Sequence, residues 1–134
     1  MSEGEEAATR SLIVVDPDPA ARNRAEDLED DLEIQVIAMD SMEFETESSE
    51  EVLGASAFII AWDLGIRSGL DLLEEIRRHE SLADLPVLIS TEAPVPGLVK
   101  CALQNGADSV CLRLYDGEEV KAKLAAATTA REAA

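Results

Sequence analysis

The side chains capable of chemistry are sparse in this 134-residue sequence, and their spacing rules out most reactions. Cys101 and Cys111 have neither the close pairing of a metal knuckle nor the spacing of a redox motif, so two reduced, buried thiols are expected. The lone histidine, His79, follows Arg77 and Arg78 at the end of an expected helix, where positive charge favours the terminal carbonyls. A helix cap is its simplest role. No nucleophile with a base, no phosphate-cradling loop and no residue set at metal-ligand spacing is found. An enzyme is therefore not expected, and neither is a metal or a cofactor. What remains are polar and charged residues standing just beyond apolar runs: Asp16, Asp63, Thr91 and Arg113.

Their significance depends on the elements that place them. Ser11 to Val15 is an apolar run closed by Asp16-Pro17-Asp18-Pro19, which reads as a buried strand meeting a sharp break. Asp18 suits the cap of the next helix and Pro19 its first position, where no amide hydrogen is needed. Ala21, Ala25, Leu28 and Leu32 then recur at helical spacing. Ile34 to Met39 and Ala57 to Ala61 read as the second and third strands, and their continuous apolar character suits a parallel sheet covered on both faces. Between them Met42, Phe44, Val52 and Leu53 make a weak stripe, with six acids in residues 40–51, so a short or irregular second helix is expected. Ser68 caps a third helix, with Asp71 as its capping-box acid and Leu70, Leu73 and Ile76 facing inward. Leu85 to Ser90 is the fourth strand. Pro94 and Pro96 delay the fourth helix until about Gly97, with Val99, Ala102 and Leu103 on its inner face. Ser109 to Leu112 is the fifth strand, and Val120, Leu124 and Ala127 mark a last helix from about Gly117 to Arg131.

Strand and helix alternate five times, which predicts an α/β fold: a three-layer (βα)5 sandwich around a five-stranded parallel sheet. Function in such sheets gathers at the carboxyl ends of the strands, which is where Asp16, Asp63, Thr91 and Arg113 stand.

Composition narrows the classes further. The apolar fraction of 46% fills one core, so one domain over residues 11–131 is expected, after an acidic tail at 1–10 and before a tail or linker start at 132–134. No apolar run is long enough to span a membrane, and the start is acidic where a secretory signal is basic and then apolar, so a cytoplasmic location is expected. The net charge is −18; residues 1–50 hold sixteen acids against three bases, and residues 51–134 thirteen against eight. Such a surface repels phosphate backbones and anionic membranes, which excludes nucleic acid and membrane as expected partners. Only three bases are lysines. The acidity is open to three readings: a high-salt cytoplasm, a partner-facing patch, or plain surface drift.

At the strand ends the sequence resembles the receiver domain of response regulators, the CheY-like family. The segment Phe58-Ile59-Ile60-Ala61-Trp62-Asp63-Leu64-Gly65-Ile66-Arg67-Ser68-Gly69-Leu70 matches, without a gap, the family's stretch from acceptor strand to third helix. Leu85-Pro86-Val87-Leu88-Ile89-Ser90-Thr91 looks like its fourth strand with the closing Thr, and Gly106-Ala107-Asp108 starts fifteen residues past Thr91, as in the family. The likeness spans about residues 11–131 and implies that the sandwich is the doubly wound, flavodoxin-like one.

The resemblance implies a phosphorylation pocket, and the residues that would form it have mostly changed. In the family an aspartate ending the third strand attacks a phosphohistidine, two acids after the first strand help hold Mg²⁺, and a Thr or Ser and a Lys bind the phosphoryl oxygens. Cationic charge is needed there because clustered carboxylates repel one another and the phosphoryl group. Asp16 stands where the first acid belongs, Pro17 where the second does, and Ala61 where the acceptor does. Thr91 is kept, Arg113 holds the lysine position, Leu114 replaces the proline that usually follows it with a cis bond, and Val110 sits where many receivers have a switching aromatic. A cis bond before leucine costs roughly 3 kcal/mol, so that peptide is expected to be trans. In the family the position matched by Asp63 contributes its backbone carbonyl to the metal, while its side chain points away from the acceptor. An Asp16–Arg113 ion pair is expected in place of the lost metal and lysine contacts, the alternative being a remnant anion pocket. Trp62 is read as packing at the rim.

The resemblance thus implies a degenerate receiver, a pseudo-receiver acting by protein–protein interaction in a signalling or cell-polarity pathway. Two alternatives stand beside it: a receiver phosphorylated at an unusual acid such as Asp63 or Asp16, and a ligand-sensing domain with a cavity beside Trp62 and Arg113. The family's partner face is formed by the fourth helix, fifth strand and fifth helix. Here it would present Lys100, Gln104, Arg113, Tyr115, Lys121 and Lys123, to a protein partner or to a second copy in a homodimer.

Overall fold

The computed structural model describes residues 10–44 and 49–133. The expected acidic tail, except Arg10, and part of the poorly patterned segment fall outside the described residues, as does Ala134. The elements run β1 (Ser11–Val15), α1 (Pro19–Glu26), α2 (Leu28–Leu32), β2 (Gln35–Met39), α3 (Glu50–Leu53), β3 (Ala57–Ala61), α4 (Gly69–Arg78), β4 (Val87–Thr91), α5 (Pro96–Gln104), β5 (Ser109–Leu112) and α6 (Gly117–Ala133). The five strands form one parallel sheet in the order β2-β1-β3-β4-β5. This is the flavodoxin-like order, the α/β sandwich expected from the sequence. The fourth and fifth helices of the sequence reading are α5 and α6.

Strand alternation sends side chains to two cores. Ile13, Val15, Phe58, Ile60, Val87, Ile89 and Val110 face the layer of α3, α4 and α5, where Phe44 and Phe58 meet edge to face with ring centroids 5.9 Å apart. Leu12, Val14, Ala57, Ile59, Leu88 and Cys111 face the layer of α1, α2 and α6. Burial pushes the Cys111 thiol up to about 12, so it is protonated. Cys101 is only half-buried, contrary to the expectation of two buried thiols, because it lies on the flank of α5 beside the inward Ala102.

The local signals explain most element ends. The Asp18 side chain accepts the Ala20 amide with Pro19 opening α1, and Ser68 and Asp71 form a capping box at α4. The expected single first helix is two segments, broken at Asp27. α3 is one short turn, capped by Ser49. β4 begins later than expected because Pro86 has no amide to give the ladder. In α4, Leu72 joins Leu73 and Ile76 in the core, and Leu70 is only half-buried. Leu103, expected on the inner face of α5, is exposed; Leu98 and Val99 pack inward with Ala102 instead. α6 runs on through Ala133, past the expected end at Arg131. His79 is the C-cap of α4, but its Nδ1 accepts the Ser81 amide at 3.1 Å, so the ring caps the next turn and not the carbonyls of α4. No helix among the described residues is long and apolar enough to cross a membrane.

Candidate functional site

β1 and β3 are neighbours, and their register pairs Val15 with Ile60, so the next residues, Asp16 and Ala61, come side by side at the carboxyl edge. One strand further on, Ala61 pairs with Ser90, and Thr91 pairs with Leu112 just before Arg113. The parallel sheet therefore gathers Asp16, Ala61, Thr91 and Arg113 at one edge. Gly69 tightens this corner: a Cβ there would sit 2.1 Å from the Ala61 carbonyl oxygen, so only glycine lets α4 start against the end of β3.

Asp16 is fully buried, and its carboxylate is saturated with donors. Arg113 bridges both oxygens, Nε to Oδ2 at 2.8 Å and Nη2 to Oδ1. The Tyr115 hydroxyl donates to Oδ2 at 2.5 Å, and the Asp18 amide donates to Oδ1 at 3.0 Å. Tyr115 Oη also lies 3.0 Å from Ser90 Oγ; since its one proton goes to Asp16, Ser90 is the donor in that bond. Arg22 Nη1 donates to the Asp16 carbonyl at 2.7 Å and Arg24 Nη2 to the Arg113 carbonyl at 3.2 Å, fixing both backbones from α1.

Burial works to raise the Asp16 pKa. The hydrogen bonds from Arg113, Tyr115 and the Asp18 amide, with the Arg113 charge, outweigh it and hold the carboxyl below the usual range. The hydrogen bond to Asp16 pushes Arg113 above its ordinary value, and burial pushes Tyr115 up, helped by its bond to Asp16. At neutral pH the group is a charged pair with a neutral phenol.

Tyr115 was expected on the partner face, and the structure corrects this: it is buried among Leu12, Val14, Val120 and Leu124. The reason is its backbone. At φ +55° it occupies the left-handed region that bulky residues rarely adopt, which turns the chain inward after the exposed Leu114. No sequence pattern points to this placement, because β5 ends at Leu112 and residues 113–114 form a turn before Tyr115. No peptide bond among the described residues is cis, so Arg113–Leu114 is trans.

The other expected site residues take quieter places. Thr91 Oγ1 accepts the Ala93 amide at 3.2 Å. Asp63 is exposed, and its Oδ1 accepts the Gly65 amide at 2.9 Å, closing the loop before α4. Trp62 packs on the core and lines an open cleft with Asp63, Gly65, Arg67 and Ser68, whereas Arg113 lines a separate notch of about 150 Å³ with Arg24, Glu92, Leu112 and Leu114. On the expected partner face, Lys100, Gln104 and Lys121 are exposed; Lys123 is half-buried, donating to the Val110 carbonyl and pairing with Glu119 at 3.3 Å.

A divalent cation such as Mg²⁺ needs several carboxylate or water oxygens around it. Both Asp16 oxygens are already taken by donors, Pro17 and Ala61 supply no side-chain oxygen, and the Arg113 charge repels a cation. Among the described residues no three His, Cys, Asp or Glu side chains converge on a metal-sized space. These residues do not fit the ion.

Solved structures similar to this chain include receiver domains and response regulators. The signal receiver domain of an HD domain-containing protein from Pseudomonas fluorescens Pf-5 superimposes with a TM-score of 0.72 at 16% identity, covering 93% of this chain and 98% of that one. A response regulator receiver domain protein from Clostridium thermocellum gives 0.70 at 17%, covering 92% and 97%. A LuxR-family DNA-binding response regulator from Staphylococcus aureus gives 0.66 at 19%, covering 87% and 97%. No family model matches the sequence. The chain has the CheY-like receiver fold.

Proposed function

We propose that this chain is a pseudo-receiver: a receiver-fold signalling domain that binds a protein partner without being phosphorylated. One observation carries the reading. At the edge where the fold's chemistry is expected, Ala61 offers a buried methyl group and the adjacent Asp16 has both oxygens engaged by Arg113 and Tyr115. A methyl group accepts no phosphoryl group. A carboxylate bridged by a guanidinium is a poor nucleophile and a poor cation ligand, because its charge is already neutralised by hydrogen-bonded donors. Arg113 thus takes the part that a metal and a lysine would share, and the pocket is closed by a permanent ion pair.

Incubating the protein with acetyl phosphate and Mg²⁺ and recording its intact mass tests this. The expected spectrum is unchanged. A gain of one phosphoryl group, mapped to Asp63 or any other acid, overturns the reading in favour of an atypical receiver.

A further inference from the structure

Six large apolar side chains are exposed among the described residues, and four of them stand on one edge of the molecule. Met42 is 82% exposed in the loop after β2, Ile66 81% after β3, Val95 54% after β4 and Leu114 65% after β5. The other two, Leu53 and Leu103, lie on helices α3 and α5. Isolated exposed apolar residues are ordinary, but one at the carboxyl end of every strand except β1 makes a row interrupted at that one strand. A parallel sheet puts all these loops at its carboxyl edge, above Asp16 and Ala61.

The row lies among acids. The same loops carry Asp40, Glu43, Asp63, Glu92 and Asp116, all but Asp40 well exposed. Their bases are Arg113, bound to Asp16 and also to Glu92 at 3.3 Å, and Arg67, which pairs with Glu75 at 3.7 Å; this leaves Asp40, Glu43, Asp63 and Asp116 without a basic partner among the described residues of these loops. A second copy would set acids against acids, in a chain of net charge −18. A basic partner meets complementary charge. Length also fits: β2 and β5 are the outermost strands, and four strand spacings of about 4.8 Å give about 19 Å, the rise of about 13 helical residues.

We propose that this loop edge docks a basic amphipathic helix of a protein partner, its apolar stripe resting on Met42, Ile66, Val95 and Leu114 and its lysines and arginines meeting the acids of the same loops. The proposal rests on the partner-binding reading and moves the contact away from the α5–β5–α6 face.

The probe is a synthetic lysine–leucine amphipathic peptide of about four helical turns, with an equally charged lysine–serine peptide beside it, each titrated into the isotope-labelled chain by NMR. The leucine peptide shifts amides in the loops after β2, β3, β4 and β5 and binds more tightly than the serine peptide. Ile66→Ser with Leu114→Ser weakens it about tenfold or more, since two apolar contacts are lost, and Val95→Ser weakens it less. These exposed positions tolerate substitution without loss of fold. Lys100→Glu with Lys121→Glu leaves binding no weaker. Equal binding of the two peptides, shifts centred on α5 and α6, or indifference to the loop substitutions overturns the surface. Phosphoryl uptake from acetyl phosphate overturns the underlying reading instead, whatever the peptides do.

Discussion

The sheet carries an arginine–carboxylate cluster at each end, and the two are built on opposite principles. At the amino edge, Asp108 is shared by two arginines: Arg77 at 3.1 Å and Arg131 at 2.9 Å. Asp108 also accepts the Val87 amide at 2.8 Å, while Arg77 holds the carbonyls of Gly106, Ala83 and Leu85. At the carboxyl edge, one arginine and one phenol serve Asp16, a fully buried acid. Burial and the nearby Arg131 charge pull Arg77 below its ordinary value, whereas Asp16 pushes Arg113 above its own. The lower cluster has spare cation and stitches loops together. The upper one sets a single arginine against the buried acid, with the exposed Glu92 also on Arg113 at 3.3 Å, so no second cation can replace Arg113.

The contrast is sharpest when a single partner is removed. Arg113→Ala strands a buried carboxylate and is expected to cost about 3–5 kcal/mol, read as a lower midpoint in urea unfolding. Tyr115→Phe keeps the ring and removes two hydrogen bonds, one to the charged Asp16 and one from Ser90, for an expected loss of about 2–4 kcal/mol by the same measurement. Arg131→Ala is expected to cost about 1 kcal/mol or less, since its side chain is partly exposed and Arg77 stays on Asp108. The comparison breaks if Arg131→Ala costs as much as Arg113→Ala.

Acid sharpens it further. The Asp16 carboxyl lies below the ordinary aspartate value of 3.8 in the folded chain. Its contribution to stability is therefore present above pH 3.8 and is lost as pH falls through the lower native value. Unfolding curves of wild type and Asp16→Asn, widely separated at neutral pH, are expected to converge as acid protonates the Asp16 carboxylate. A gap that persists unchanged to low pH contradicts the charged pair.

Much of this was legible in the residues. β1, β3 and β5 match their apolar runs because each is bounded by a break that no strand absorbs, such as Asp16-Pro17. The Asp16–Arg113 pair was legible because parallel strands bring their carboxyl ends to one edge whatever the side chains. The break at Asp27 was not, since Asp27 keeps helical backbone angles and carries no proline or glycine signal. The inward turn at Tyr115 was hidden for a related reason: a left-handed residue is normally announced by glycine or asparagine, and here packing and two hydroxyl bonds hold a tyrosine there instead. Leu103 misled because hydrophobic type alone does not fix which flank of α5 touches the sheet, and Leu98 took the place assigned to it.

The most direct test is the carboxyl carbon of Asp16, followed by NMR while Mg²⁺ is raised through the millimolar range at neutral pH. The ion pair predicts an ionised carboxylate whose resonance does not move. A saturating, magnesium-dependent shift at that carbon, showing that the ion displaces Arg113, would contradict the closed pocket and the pseudo-receiver reading built on it.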